Sequence, residues 1–134
     1  MLKKIMITVF VTFVIFTSTG CAAKTYDAET LHQKGANLTK LTRKVKVAIR
    51  KQVADDKLYI YINEKYPDDM VEFSDYSISI KNYNGTAVVL MCNKERTKAL
   101  LEDLSCTGSL EGGYIFQRDL ICDFHLNIEE ECKK

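Results

Sequence analysis

The chain is poor in the residues that break or bend a backbone. One proline, Pro67, and six glycines in 134 residues leave no room for long linkers and exclude a collagen-like or low-complexity repeat. Charge of one sign is missing too: a formal net charge of +1 lacks the overall electrostatic footprint of a nucleic-acid binder, so no nucleic-acid partner is expected. His32 and His125 are the only histidines, and neither has a sequence-local nucleophile beside it. No CxxC pair is present for dithiol redox chemistry. Thr107 to Gly113 is Gly-rich, but it lacks the Lys-Ser/Thr ending of a phosphate-binding loop and the GxGxxG spacing. Asp68, Asp69, Glu72 and Asp75 lack the Gly and terminal Glu of an EF-hand loop and read as surface charge. No catalytic residue, metal or cofactor is therefore expected.

What is present begins at the N-terminus. Lys3 and Lys4 precede an apolar run of twelve residues, Ile5 to Phe16, followed by small and polar residues up to Cys21. Basic, apolar and small-residue regions in that order form a secretory signal peptide. Twelve helical residues reach ~18 Å, short of the ~30 Å hydrocarbon core. Extension to Ala23 would span it, which keeps an uncleaved anchor as the competing reading. Ser18-Thr19-Gly20-Cys21, followed by Ala22-Ala23, resembles the lipobox of bacterial lipoproteins; Ser18 stands where that family usually has an aliphatic residue.

The resemblance implies a diacylglycerol on the Cys21 thiol, cleavage before the cysteine and acylation of the new amino terminus. Each buried methylene contributes ~0.8 kcal/mol, so two or three chains hold a protein to a leaflet. The division that follows is a signal peptide over 1–20, a lipidated tether over 21–27 and one α+β domain over 28–134. Ala22 lacks the Asp that retains such proteins in the inner membrane. The expected location is thus the cell envelope, either the periplasmic side of the outer membrane or the outer face of the cytoplasmic membrane. Val88 to Thr107, with Leu100-Leu101-Glu102-Asp103 before Cys106, resembles small uncharacterised bacterial lipoproteins, which implies no activity.

Cysteine usage agrees with export. Beyond Cys21 stand Cys92, Cys106, Cys122 and Cys132, an even set that an oxidising compartment turns into two disulfides with three connectivities. Sequence proximity points to Cys92 with Cys106 and Cys122 with Cys132. A helix between Cys92 and Cys106 would carry the chain back ~15 Å, beyond the ~7 Å reach of a disulfide, which favours crossing pairs; of the two, the local pairs are the expectation. Cys122-x2-His125 with Cys132 nearby could alternatively hold a metal, but no partner motif accompanies it.

Periodicity gives the elements. From Ala28 to about Val53, Leu31, Leu38, Leu41, Val45, Ala48, Ile49 and Val53 share one helical side, and Gly35 is a place where the first turns could loosen. Asp55 to Phe73 fits a strand or a helix; helix is the expectation, with Asp55 or Asp56 as cap and Pro67 as terminator. Tyr76 to Cys92 reads as a hairpin turning at Asn84-Gly85. Asn93 is expected to cap a helix carrying Thr97, Leu100, Leu101 and Leu104, with Glu102 on its outer side. Tyr114 to Phe116 and Leu120 to Leu126 add one or two strands, before a polar tail that Cys132 ties down. The fold class is α+β: a long amphipathic helix packed on a small antiparallel sheet, with a second short helix and disulfides.

Charge is unevenly placed. Lys24 to Lys51 carries eight basic and two acidic residues, whereas Asp55 to Asp75 carries two basic and seven acidic ones. Lys40, Arg43, Lys44, Lys46, Arg50 and Lys51 form a basic helix side that could meet anionic lipid or simply be solvated. Three function classes follow: a noncatalytic envelope module for protein interaction or assembly, a membrane-surface or small-ligand binding module using the basic helix, and a redox accessory enzyme. The partners expected are the membrane, through the lipid anchor, and an envelope protein.

Overall fold

The computed structural model describes residues 27–107, 114–115 and 119–133. The signal segment, Cys21 and all of the tether except Asp27 lie outside the described residues.

Helix α1, Ala28–Arg50, opens on Asp27, whose carboxylate accepts the Thr30 N–H at 2.6 Å. It buries Leu31, Leu38, Leu41, Val45 and Ala48. The helix runs through Gly35 without a break. It stops short of Val53 because Gln52 turns left-handed at φ 62°. The Val53 and Gln52 N–H groups then bond back to Ala48 O and Ile49 O, which satisfies the last carbonyls.

The ambiguous segment is helical. A single 3-10 turn, Asp55–Lys57, leads into α2, Leu58–Lys65, and α3, Pro67–Val71. Neither aspartate makes a side-chain cap bond to α2. Pro67 does more than end α2, because at N1 of α3 its missing N–H costs nothing. Leu58, Ile62, Met70 and Phe73 join the α1 core.

The hairpin forms as expected. Strand β1, Tyr76–Tyr83, pairs antiparallel with β2, Thr86–Asn93, through Asn84 and Gly85 at φ 49° and 88°. The expected helix after Asn93 is instead strand β3, Ala99–Leu104, antiparallel to β2. Two facts explain the error. All six residues of β3 are buried, so the strand shows no apolar–polar alternation. Asn93 does cap backbone N–H groups, those of Thr97 and Lys98 at 2.8 and 2.9 Å, but within a tight turn that reverses the chain with Arg96 at φ 58°.

A two-residue β4, Tyr114–Ile115, pairs with β3 and completes the order β1-β2-β3-β4. Leu120 to Leu126 forms no strand. It runs as an irregular arm tied by Ala99 N–H to Leu120 O at 2.9 Å, and ends in α4, Ile128–Glu131.

The two faces of β2 bury against different layers. Ala87, Val89 and Met91 meet α1, while Leu90 and Cys92 meet Leu120, Cys122 and Phe124 of the arm. Disulfides clamp that arm. Cys92 bonds Cys122 and Cys106 bonds Cys132, with Cα separations of 5.7 and 5.5 Å, so the pairs cross and the local pairing is wrong. Because Cys92 lies opposite Ala99, Cys106 stands seven residues on at the far end of β3, ~23 Å away, where no bridge reaches.

Candidate functional site

Among the described residues the two histidines do not meet a nucleophile. Among the described residues no group of three or more His, Cys, Asp or Glu is placed to hold a metal. His32 is exposed on α1. His125 Nε2 donates to Ile121 O at 2.8 Å, and its neighbour Cys122 is consumed in a disulfide, so Cys122-x2-His125 offers neither a thiolate nor a metal ligand pair.

Glu102, expected on the outer side of a helix, and its neighbour Asp103 are instead buried in β3, on opposite faces. Glu102 is 0% exposed beneath the arm and accepts the His125 N–H at 2.8 Å and the Leu126 N–H at 3.3 Å. Burial pushes its carboxyl above the usual carboxylate range, and these N–H groups offset part of that rise. Asp103, 1% exposed, faces α1 beside Thr39 and Thr42. It too is pushed up by burial, opposed by the threonines, the Leu104 N–H and the Arg43 charge. Thr42 Oγ1 donates to Leu38 O at 2.8 Å, and Asp103 Oδ1 and Thr39 Oγ1 have no hydrogen-bond partner among the described residues. Two acids inside the apolar run Ala99–Leu104 were the available signal, legible only once the run is read as a doubly buried strand.

Glu102 ties the arm to the sheet through its carboxyl oxygens, and its burial has a pH consequence. A carboxyl raised on folding stabilises fully below its unfolded value, near the ordinary 4.5, and that contribution is lost as pH rises through the folded value. Glu102→Gln, which keeps an acceptor, is expected to flatten this fall and to be at least as stable as wild type at pH 7. Glu102→Ala strands two N–H groups and opens a void, at a cost of ~2 to 4 kcal/mol. Urea unfolding of both variants from pH 4 to 8 checks this; an unchanged pH slope in the Gln variant would contradict it.

The basic helix side is partly engaged within the fold. Lys44 pairs with Asp69 and sits 4.7 Å over the Tyr66 ring, and Lys46 donates to Gly85 O. Lys34, beyond the expected set, bonds Glu72 O and pairs with the Glu72 carboxylate at 3.6 Å. Lys40, Arg43, Arg50 and Lys51 are exposed, Arg43 in the field of Asp103. The acidic segment therefore neutralises part of the helix by direct contact.

Neither family models, nor curated proteins, nor solved structures match this chain. Its own surface carries the argument. Among the described residues a concave surface flanks β1, the first strand in the sheet order. One hollow of about 370 Å³ lies between Tyr59, Val71, Phe73, Tyr76 and Ile78; a second of about 590 Å³ adds Ser77, Ser79, Ile80, Lys94 and Arg96. Tyr59 and Val71 are 46% and 64% exposed at its rim. Sequence reading found the strand but not this groove, which helices and a turn distant in sequence assemble.

Proposed function

We propose that the chain is a lipid-anchored protein of the bacterial cell envelope whose disulfide-stapled α+β domain serves as a noncatalytic protein-interaction or assembly module. The observation that carries this is the fate of the cysteines. All four beyond residue 21 are used in two disulfides, which leaves Cys21, in its lipobox-like setting, as the single remaining one. Disulfides persist in extracytoplasmic compartments. The interaction role is supported by the groove along β1, where aromatic and apolar side chains stand exposed beside a sheet edge. The full chain, expressed in an exporting bacterial host, should partition with membranes and incorporate labelled fatty acid. A soluble, unlabelled product would end this reading.

A second reading, contact of α1 with anionic lipid, is favoured only by the exposure of Lys40, Arg43, Arg50 and Lys51. Lys44 and Lys46 are engaged within the fold and Arg43 lies in the field of Asp103, which reduces the charge on offer; each cation near a charged surface adds ~1 kcal/mol and is screened beyond ~8 Å at physiological salt. Cosedimentation of the chain from residue 22 onward with anionic vesicles should be weak at low salt and nearly absent at physiological salt. Strong retention at physiological salt would favour the lipid-facing reading instead.

A further inference from the structure

We propose that the open edge of β1 is a homodimer interface, in which two copies of this chain pair their β1 strands antiparallel about a two-fold axis at Ser79 and join their sheets. This goes beyond the interaction role above by naming the surface and its occupant.

The edge is open and long. Among the described residues β1 has one strand neighbour, β2, and pairs with it over eight residues without a register shift. It contains no proline, and its one charged residue is Lys81, so most devices that protect an edge are missing. The tight turn fixes which groups face outward. Tyr83 and Thr86 close the two-residue loop as a bonded pair, which turns the N–H and C=O groups of Ser77, Ser79, Lys81 and Tyr83 toward β2. Those of Tyr76, Ile78, Ile80 and Asn82 then point to the open edge. Tyr76 agrees, since its N–H bonds Phe73 O at 2.9 Å and not the ladder.

The sequence of β1 suits itself as a partner. Across a two-fold axis, outward-bonding residues must oppose outward-bonding residues. Centred on Ser79, Ile78 faces the second copy's Ile80 and can exchange both ladder bonds with it, while Tyr76, whose N–H is held by Phe73 O, stands opposite Asn82 at the end of the ladder. The two Ile–Ile pairs extend the sheet face that α1 covers, Ser79 meets its own symmetry mate, and Ser77 meets Lys81. No like charges oppose one another.

The register also sets particular charges near one another. Asp55 stands at the Asn82 end, accepting the Asn82 side-chain N–H at 2.9 Å. Lys94 and Arg96 line the hollow of about 590 Å³ at the Tyr76 end, where Asp75 precedes the strand. Antiparallel pairing brings Asp55 of each copy to the end that carries Lys94 and Arg96 in the other, twice by symmetry. The exposed Tyr59 and Val71 lie on the helical side of the edge, where the joined copies would cover them.

Native mass spectrometry of the detergent-solubilised full chain over a concentration series tests this, with both disulfides verified in each variant as the check on folding. The wild type should show a monomer–dimer equilibrium. Ser79→Lys, which sets two lysines face to face, should weaken the dimer at least about fivefold, whereas Ser77→Asp, opposite Lys81, should tighten it by about the same factor. A chain that stays monomeric up to about 100 µM, a dimer constant that either variant leaves unchanged, or an edge that takes up another protein's strand in place of a second copy, would overturn the proposal.

Discussion

Removal of the Cys92–Cys122 bridge, as the double variant Cys92→Ala, Cys122→Ala, is expected to lower unfolding free energy by about 3 to 4 kcal/mol. The bridge closes a separation of 30 residues, so its loss frees a long loop in the unfolded chain. It also sits where the arm meets the sheet. Cys92 is 0% exposed and packs with Leu90, Ala99, Leu120 and Phe124, so the variant loses apolar contact as well as the crosslink. The second bridge, Cys106–Cys132, closes 26 residues but joins two exposed cysteines, and its removal should cost less. Access orders the chemistry in the same way: limiting reductant should open Cys106–Cys132 before Cys92–Cys122. Urea unfolding of the two double variants measures the difference. Costs under about 1 kcal/mol for the Cys92–Cys122 variant would mean the arm is not held by that bond.

The second large effect lies at Cys21. Cys21→Ser is expected to abolish fatty-acid labelling and to remove the membrane retention that the lipid confers, because a serine hydroxyl is not the thioether acceptor that the lipobox-type reading requires. Two acyl chains of about 16 carbons bury enough methylene at ~0.8 kcal/mol each that binding falls from effectively permanent to marginal when they are lost. Fractionation and labelling of wild type and variant side by side give the readout. A variant that stays in the membrane without label would show that the apolar run from Ile5 itself anchors the chain, and one that still labels like wild type would show that Cys21 is not the acylated residue. No helix among the described residues is long and apolar enough to cross a membrane, so α1 would not supply an alternative span.

Much of this fold is legible in the sequence where one face of an element is wet. Helix α1 carries a clean apolar stripe, and β1 alternates Ile78 and Ile80 with serines before Asn84-Gly85, so both elements announce their period. The hidden part begins where an element is buried on both sides. In β3, Leu100, Leu101 and Leu104 fit a helix as well as a strand, and the deciding fact, a covering arm on the second face, comes from residues some twenty positions later. Asn93 misled for a related reason: the same side-chain acceptor serves a helix start and a tight turn. Of the site, the four bridged cysteines could be picked out but not paired, because pairing depends on strand direction. Glu102 reads as an outer helix position, and nothing local marks Asp103 as buried, because the burial of both follows from β3. The groove beside β1 was beyond reach, since Tyr59, Val71, Lys94 and Arg96 converge only in three dimensions.

An exported, lipid-anchored chain of the kind proposed carries its anchor on Cys21, while the other cysteines staple the arm across the sheet. Non-reducing peptide mapping by mass spectrometry, on the protein extracted from membranes with free thiols blocked, tests all of it at once. The account predicts an N-terminal peptide starting at acylated Cys21, together with linked peptides joining Cys92 to Cys122 and Cys106 to Cys132. An intact N-terminus with an unmodified Cys21 thiol, or blocked thiols at the other four positions, would contradict it.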